Sequence, residues 1–82
     1  MYTVRWKRSA RDQLAELWMQ APDRNAVTDA ANQIDSLLER SPEQQGESRP
    51  GGRRILILLP LAVLFRVNEQ DKIVAVLKVW AV

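Results

Sequence analysis

The feature that most constrains the fold is the apolar last third of the chain. Three runs rich in Ile, Val and Leu, residues 53–59, 61–67 and 72–80, are separated by Pro60 and by the polar residues 68–71. Their length and β-branched content favour strands. Proline is tolerated at a turn or a sheet edge, and the polar tetrad suits a hairpin turn. We therefore expect a three-strand antiparallel meander.

The first half of the chain predicts a strand followed by two helices. Residues 2–6 alternate and are rich in β-formers. Apolar residues then recur at helical spacing in two stripes, the first after the candidate cap Ser9 and the second after the candidate cap Asp23. Pro22 and Pro42 end the two helices. The stripes comprise Ala10, Leu14, Leu17, Trp18 and Ala21, then Val27, Ala30, Ala31, Ile34, Leu37 and Leu38.

The predicted fold is α+β, with the order β-α-α-β-β-β in a single domain over residues 1–82. A short link joins the helices into an αα-hairpin, which packs on one face of a single sheet. Residues 41–52 hold two prolines and all three glycines and are predicted to form a polar loop. A second domain is excluded, because a smaller core would not fold alone.

Composition excludes several kinds of site. The 82 residues include no Cys and no His, which rules out disulfides, thiolate metal sites and serine–histidine triads. We predict no metal and no cofactor. The longest apolar run, residues 55–65, is shorter than the roughly 20 residues that span a bilayer. With no recognisable signal peptide, a cytoplasmic protein without membrane association is expected.

The sheet is predicted to carry more apolar side chains than two helices can cover. In each of the three C-terminal strands both alternating sets are largely apolar; strict alternation in the last strand separates Ile73, Ala75, Leu77 and Val79 from Val74, Val76, Lys78 and Trp80. A contiguous exposed apolar patch usually marks a partner surface. We expect a partner surface on the uncovered face; cover by loops or by sheet curvature is the alternative.

The chain resembles the RelE/ParE superfamily of toxins from bacterial type II toxin–antitoxin modules. The matching pieces, in order and over nearly the whole chain, are TVRWKRSARDQLAELW, DAANQIDSLLERSP, GGRRI and PLAVLFRVNEQDKIVAVLKVW. The resemblance implies a small α+β toxin that a cognate antitoxin neutralises, in a module of the plasmid-stabilisation type. One branch of the superfamily cuts mRNA on the ribosome, and another poisons DNA gyrase.

The resemblance also implies catalytic candidates. The RNA-cleaving branch carries basic residues on the strand after the long loop, where this chain has Arg53 and Arg54. Its arginine at the opening of the next strand corresponds to Ala62, and the chain stops at Val82 before the basic or aromatic residues past the last strand. Arg66 is the third candidate. Arginine stabilises phosphorane-like charge but is a poor base, so activity as a ribosome-dependent endoribonuclease is left open.

Partner contacts are predicted on the sheet, whereas Trp6 and Trp18 are predicted in the core. The predicted partner-binding residues are Arg49, Leu64, Lys78 and Trp80. Besides the toxin, two other functions remain open. The first is a degenerate, non-catalytic interaction module that forms a homodimer through its sheet. The second is a generic nucleic-acid binder, the weakest hypothesis because the net charge is only +2.

Overall fold

The computed structural model describes all 82 residues and forms one mixed sheet with two helices. In chain order the elements are β1 (Thr3–Trp6), α1 (Arg8–Gln20), α2 (Arg24–Arg40), a 3-10 turn (Pro42–Gln44), β2 (Glu47–Arg49), β3 (Arg53–Leu58), β4 (Leu61–Asn68) and β5 (Ile73–Ala81). The strand order is β1-β5-β4-β3-β2, with β1 parallel to β5 and all other pairs antiparallel. The predicted α+β fold with its C-terminal meander is confirmed. Neither helix is long and apolar enough to cross a membrane.

The predicted polar loop contains a strand that the sequence pattern does not reveal. β2 pairs antiparallel with β3 and adds a fourth strand to the meander. Its three residues are all polar and exposed, so neither hydrophobic alternation nor β-propensity marks it. Gly51 and Gly52 form the connecting turn at φ +80 and +72, a region that favours glycine.

The two predicted helix caps have different outcomes. α2 begins as expected, because the Asp23 side chain accepts a hydrogen bond of 3.1 Å from the Ala26 N–H. The Ser9 cap is wrong: α1 begins at Arg8, and Lys7 occupies the cap position without a side-chain bond. Lys7 is held instead through its backbone N–H, which donates to the Val76 carbonyl at 2.9 Å. The end of β1 therefore fixes where α1 starts.

The core lies between the helix pair and one face of the sheet. Phe65 on β4 is its largest fully buried side chain. The other buried members come from both helices and from three strands: Ala10, Val27, Ala30, Ile34, Leu38, Leu56, Leu61, Val63, Val74, Val76 and Val79. The spacing of the α2 members is the apolar stripe that the sequence predicts.

The two tryptophans predicted in the core differ in how far they are buried. Trp6 is half-buried, packs against the core and donates from Nε1 to the Asp35 carboxylate at 2.7 Å, which joins β1 to α2. The prediction for Trp18 is wrong, since its side chain is 41% exposed. Its Nε1 donates to Thr28 at 3.1 Å, and the Arg24 guanidinium lies 4.7 Å from its ring centre. Neighbouring Leu17 packs against the core instead.

A β-bulge interrupts the pairing of β4 with β5. Leu64 pairs with Lys78, but the next residue, Phe65, pairs with Val76. Leu77 therefore has no partner on β4. A β-bulge is defined by two residues on one strand that lie opposite one residue on the other. It bends the strand and increases its twist.

The bulge overturns the strict alternation predicted for β5. Without it, Val79 would share a face with Ala75, and Lys78 and Trp80 would face the helices with Val74. The extra residue reverses this assignment beyond the bulge. Val79 joins Val74 in the core, whereas Lys78 and Trp80 lie on the uncovered face and are exposed.

A side chain of α1 closes the edge of β5 beyond the end of β1. β1 pairs only with residues 73–76 of β5. Further along, the Val79 N–H donates to the Gln13 side-chain oxygen at 3.2 Å, and Val79 is only 4% exposed. Gln13 thus satisfies a backbone donor that no strand reaches.

Replacing Gln13 by alanine is expected to lower the free energy of unfolding by about 1–3 kcal/mol, because the Val79 N–H loses its acceptor in a place that water reaches poorly. Urea unfolding measures the change. The matched control is Gln13→Glu, which keeps an acceptor oxygen and should lose clearly less. Equal losses in both variants would contradict the role given to this bond.

Candidate functional site

Four arginines form a line across the face of the sheet that is turned away from the helices, called the open face below. From one edge to the other, the paired positions are Arg49, Arg53, Arg66, Ala75 and Arg5. Paired residues project from the same side of a sheet. We call Arg5, Arg49, Arg53 and Arg66 the arginine row. Every strand except β5 contributes one of its members.

The arginine row has few internal partners. All four side chains are exposed. Arg49 forms a salt bridge of 3.3 Å with Glu47, in which both side chains are exposed, so this pair contributes little to stability. Arg5, Arg53 and Arg66 make no side-chain hydrogen bond or salt bridge in the structure. Arg53 lies directly opposite both Arg49 and Arg66. Like charges in directly opposed positions destabilise a sheet.

The rest of the open face is largely apolar. One step along the strands from the arginine row, the paired positions are Glu47, Ile55, Leu64 and Lys78; the next step carries Ile57, Ala62 and Trp80. Ile57 and Trp80 are 59% and 38% exposed. We call Ile55, Ile57, Ala62, Leu64 and Trp80 the apolar patch. The surplus of apolar side chains expected from the sequence is present, beside the arginine row.

Arg54 lies on the other side of the sheet from Arg53. Its guanidinium donates to the Gln45 carbonyl at 2.8 Å, the Gly46 carbonyl at 3.0 Å and the Ser48 hydroxyl at 2.8 Å. These bonds hold the segment that leads into β2. Of the three predicted catalytic residues, the structure brings Arg53 and Arg66 together and leaves Arg54 out.

The predicted partner-binding residues all lie on the open face. Arg49 belongs to the arginine row, Leu64 and Trp80 belong to the apolar patch, and Lys78 lies opposite Leu64. Arg5 is the member that the sequence did not single out. No local signal could have found it, because it joins the row only through the parallel pairing of β1 with β5, the last strand in the chain.

The chemistry available on the open face is binding of anions and of apolar groups. Its only carboxylate is Glu47, which is ion-paired with Arg49 at 3.3 Å. Ala62, on the same face, is fully buried between its cross-strand neighbours Ile57 and Trp80. The open face thus has cations that can stabilise negative charge, and it has no unpaired carboxylate or imidazole to act as a base; its one amine is that of Lys78.

A separate polar cluster lies around Tyr2, just before β1. The Tyr2 hydroxyl is within hydrogen-bond distance of the Glu43 and Glu69 carboxylates, and Lys72 forms a 3.1 Å salt bridge with Glu69. The hydrogen bond to Glu69 is the main cause of the raised pKa of Tyr2. The same bond, with the one from Lys72, lowers the pKa of Glu69 below its ordinary value of 4.5. The cluster ties the N-terminus to the β4–β5 turn.

Replacing Tyr2 by phenylalanine is expected to make stability less dependent on acid pH. Because folding lowers the pKa of Glu69, the ionised carboxylate stabilises the folded protein above pH 4.5. This stabilisation is lost as the pH falls through the pKa that Glu69 has in the folded protein. The free energies of unfolding of the wild type and of Tyr2→Phe, measured with urea from neutral pH to below that pKa, should become equal in acid. Parallel curves would contradict the role of this bond.

A groove of about 520 Å³ runs between the two helices on the opposite side of the molecule. Its apolar lining includes Leu14, Trp18 and Val27, and Arg11 and Asp35 border it. Asp35 is already bonded to Trp6. The groove is concave and lacks the concentration of charge found on the open face.

Comparisons with known proteins give matches among solved structures. No protein-family model matches the sequence, and no curated protein does. A chain of the RelBE2 toxin–antitoxin complex of Mycobacterium tuberculosis is 21% identical, with a TM-score of 0.79, over 99% of this chain and 91% of that one. A chain of the chromosomal ParDE system of P. aeruginosa is 25% identical, with a TM-score of 0.79, over 100% and 97%. A free mutant of the E. coli toxin RelE is 13% identical, with a TM-score of 0.73, over 98% and 82%.

Proposed function

We propose that this chain, which has the fold of the RelE/ParE superfamily toxins, is the toxin of a type II toxin–antitoxin module. A cognate antitoxin is its partner and neutralises it in the cytoplasm. The proposal is supported by two likenesses with a TM-score of 0.79, each to a protein from a toxin–antitoxin system and each covering more than nine-tenths of both chains. Together they match the chain as a whole rather than a fragment of it.

The toxin acts by binding its target through the open face and does not cut RNA. The observation that carries this conclusion is the pairing of the arginine row with the apolar patch on a face that has no free carboxylate and no imidazole. Cleavage through the 2′-hydroxyl needs a base for that hydroxyl and an acid for the leaving oxygen. Glu47 is held by Arg49, and Ala62 replaces the arginine of the RNA-cleaving branch. These features favour the branch that poisons DNA gyrase.

Two experiments test the proposal. Expression in a bacterial host should arrest growth, and co-expression of the open reading frame beside the gene should restore it. Purified protein should inhibit supercoiling by DNA gyrase and leave message intact in a translating extract. Absence of growth arrest would contradict the toxin role. Arrest with codon-linked cuts in mRNA would keep that role and overturn the binding mechanism.

A second candidate function is a non-catalytic module that self-associates through the open face. The apolar patch favours it, because Ile57 and Trp80 expose a contiguous surface of the kind that partners cover. Sedimentation of the purified chain should then give a dimer, and Ile57→Lys should give a monomer. A monomeric wild-type protein at all accessible concentrations would exclude this candidate.

A further inference from the structure

We infer that Lys78 is a modification site, an exposed amine placed to be acylated by small acyl phosphates. Reagents of this class combine an anionic leaving group with an apolar acyl group. The inference goes beyond the proposed function, because it concerns a covalent reaction of one side chain and does not depend on toxicity. It rests on where the β-bulge places Lys78 and on what surrounds the amine there.

The first argument is that the amine of Lys78 has no partner. The chain has three lysines. Lys72 forms a 3.1 Å salt bridge with Glu69, and its amine lies 4.9 Å from the centre of the Tyr2 ring. Lys78 is exposed and makes no side-chain hydrogen bond or salt bridge in the structure. A nucleophilic attack by Lys78 therefore breaks no interaction of the folded protein.

The second argument is that two different environments meet at Lys78. Leu64 lies directly opposite it on β4, and Trp80 follows two residues later on the same face. Arg66, two residues beyond Leu64, is the diagonal neighbour of Lys78. Such neighbours have Cα atoms about 7–8 Å apart, which two long side chains can bridge. The amine therefore has apolar side chains on one side and a guanidinium on the other.

The reaction that these surroundings suit is transfer of an acyl group to nitrogen. The lone pair of the unprotonated amine attacks the carbonyl carbon of the acyl phosphate, a C–N bond forms, and the bond from that carbon to the phosphate oxygen breaks. Inorganic phosphate leaves, and the nitrogen releases its extra proton to solvent. Arg66 attracts the anionic reagent and stabilises the departing phosphate, while Leu64 and Trp80 contact the acyl chain.

The third argument is that no carboxylate near Lys78 would repel an anionic reagent. Glu47 lies three strands away in the same line of paired positions and is bound to Arg49. Neighbouring strands are about 4.8 Å apart, so Glu47 is about 14 Å from Lys78. Acylation replaces the ammonium by a neutral amide and so lowers the charge of the open face.

Mass spectrometry of the purified full chain tests the inference. The protein is incubated at mildly alkaline pH with acetyl phosphate or with butanoyl phosphate, and the rate of acylation is measured at each lysine. Lys78 should react faster than Lys7, which is also exposed and without a side-chain partner but lies outside the apolar patch. This preference should grow about twofold or more from acetyl to butanoyl phosphate, because the longer chain contacts more apolar surface.

Variants separate attraction of the reagent from reactivity of the amine. Arg66→Gln should slow the acylation of Lys78 by acetyl phosphate about threefold or more. The uncharged acetyl ester of N-hydroxysuccinimide reports on the amine alone, and its reaction with Lys78 should be slowed clearly less in the same variant. The matched control is Arg8→Gln, which removes a charge from an exposed position of α1 and should leave both rates at Lys78 unchanged.

Any of four results would overturn the inference. Lys7 or Lys72 could react with acetyl phosphate as fast as Lys78, or the preference for Lys78 could fail to grow with butanoyl phosphate. Arg66→Gln could affect Lys78 no more than Arg8→Gln does, or it could slow the uncharged ester as strongly as acetyl phosphate. None of these results bears on growth arrest, which tests the toxin role separately.

Discussion

Deletion of Leu64 is expected to unfold the protein, whereas deletion of Leu77 is expected to leave it folded. Deleting Leu64 reverses the alternation of side chains in the part of β4 that precedes it. The fully buried Leu61 and Val63 would then project from the open face. Removing such side chains from a core costs several kcal/mol, which is comparable with the total stability of a small domain. Leu77 is the unpaired residue of the bulge, and its loss turns the same two strands into a regular ladder.

The two deletions are closely matched, because each removes one leucine from the meander. Circular dichroism and thermal unfolding distinguish them. The Leu77 deletion should change stability by no more than about 1 kcal/mol, equivalent to roughly 4–8 °C for a domain of this size. Unfolding of both deletion variants would mean that the bend imposed by the bulge is itself required for packing.

Charge reversal at Arg53 is expected to abolish growth arrest without weakening the fold. In Arg53→Glu a carboxylate lies directly opposite Arg49 and Arg66, so repulsion is replaced by attraction of about 0.2–1 kcal/mol per pair. The same change removes the central cation of the open face. Stability should therefore stay equal or rise while toxicity is lost, a combination that a folding defect cannot produce.

Plating efficiency under induction measures the loss, and thermal unfolding of the purified variant measures stability. The control is Arg8→Glu, which reverses an equally exposed charge at the start of α1, where an acidic residue suits the helix dipole. It should remain toxic. Undiminished arrest by the Arg53 variant would place the toxic surface elsewhere, with the groove between the helices as the next candidate.

Element order was predictable from the sequence because the periodic segments are strong. The α2 stripe from Val27 to Leu38 and the cap at Asp23 are local signals, and both are confirmed. The resemblance to the RelE/ParE superfamily is confirmed as well. β2 was missed because its residues carry no apolar pattern; the strand depends on the turn at Gly51 and Gly52 and on the three bonds that Arg54 donates.

The candidate site was predictable only in part, because its geometry depends on non-local register. Arg53 and Arg66 were identified by residue type, but their direct opposition follows from the pairing of β3 with β4. The bulge was invisible because both alternating sets of β5 are mostly apolar, so either set fits a core. Only packing decides between them, and beyond Val76 it selects Val79 over Lys78.

The parallel pairing of β1 with β5 has a consequence for the timing of synthesis. β1 is synthesised early and β4 late. Both lie beside β5, which is synthesised after them. Arg5 and Arg66 can share one face only when β5 has inserted between their strands. A nascent chain that still lacks β5 can therefore align Arg49, Arg53 and Arg66 but cannot add Arg5 to them. The surface that we assign to target binding is therefore complete only when β5 has been inserted, in the same step that joins β1 to the rest of the sheet.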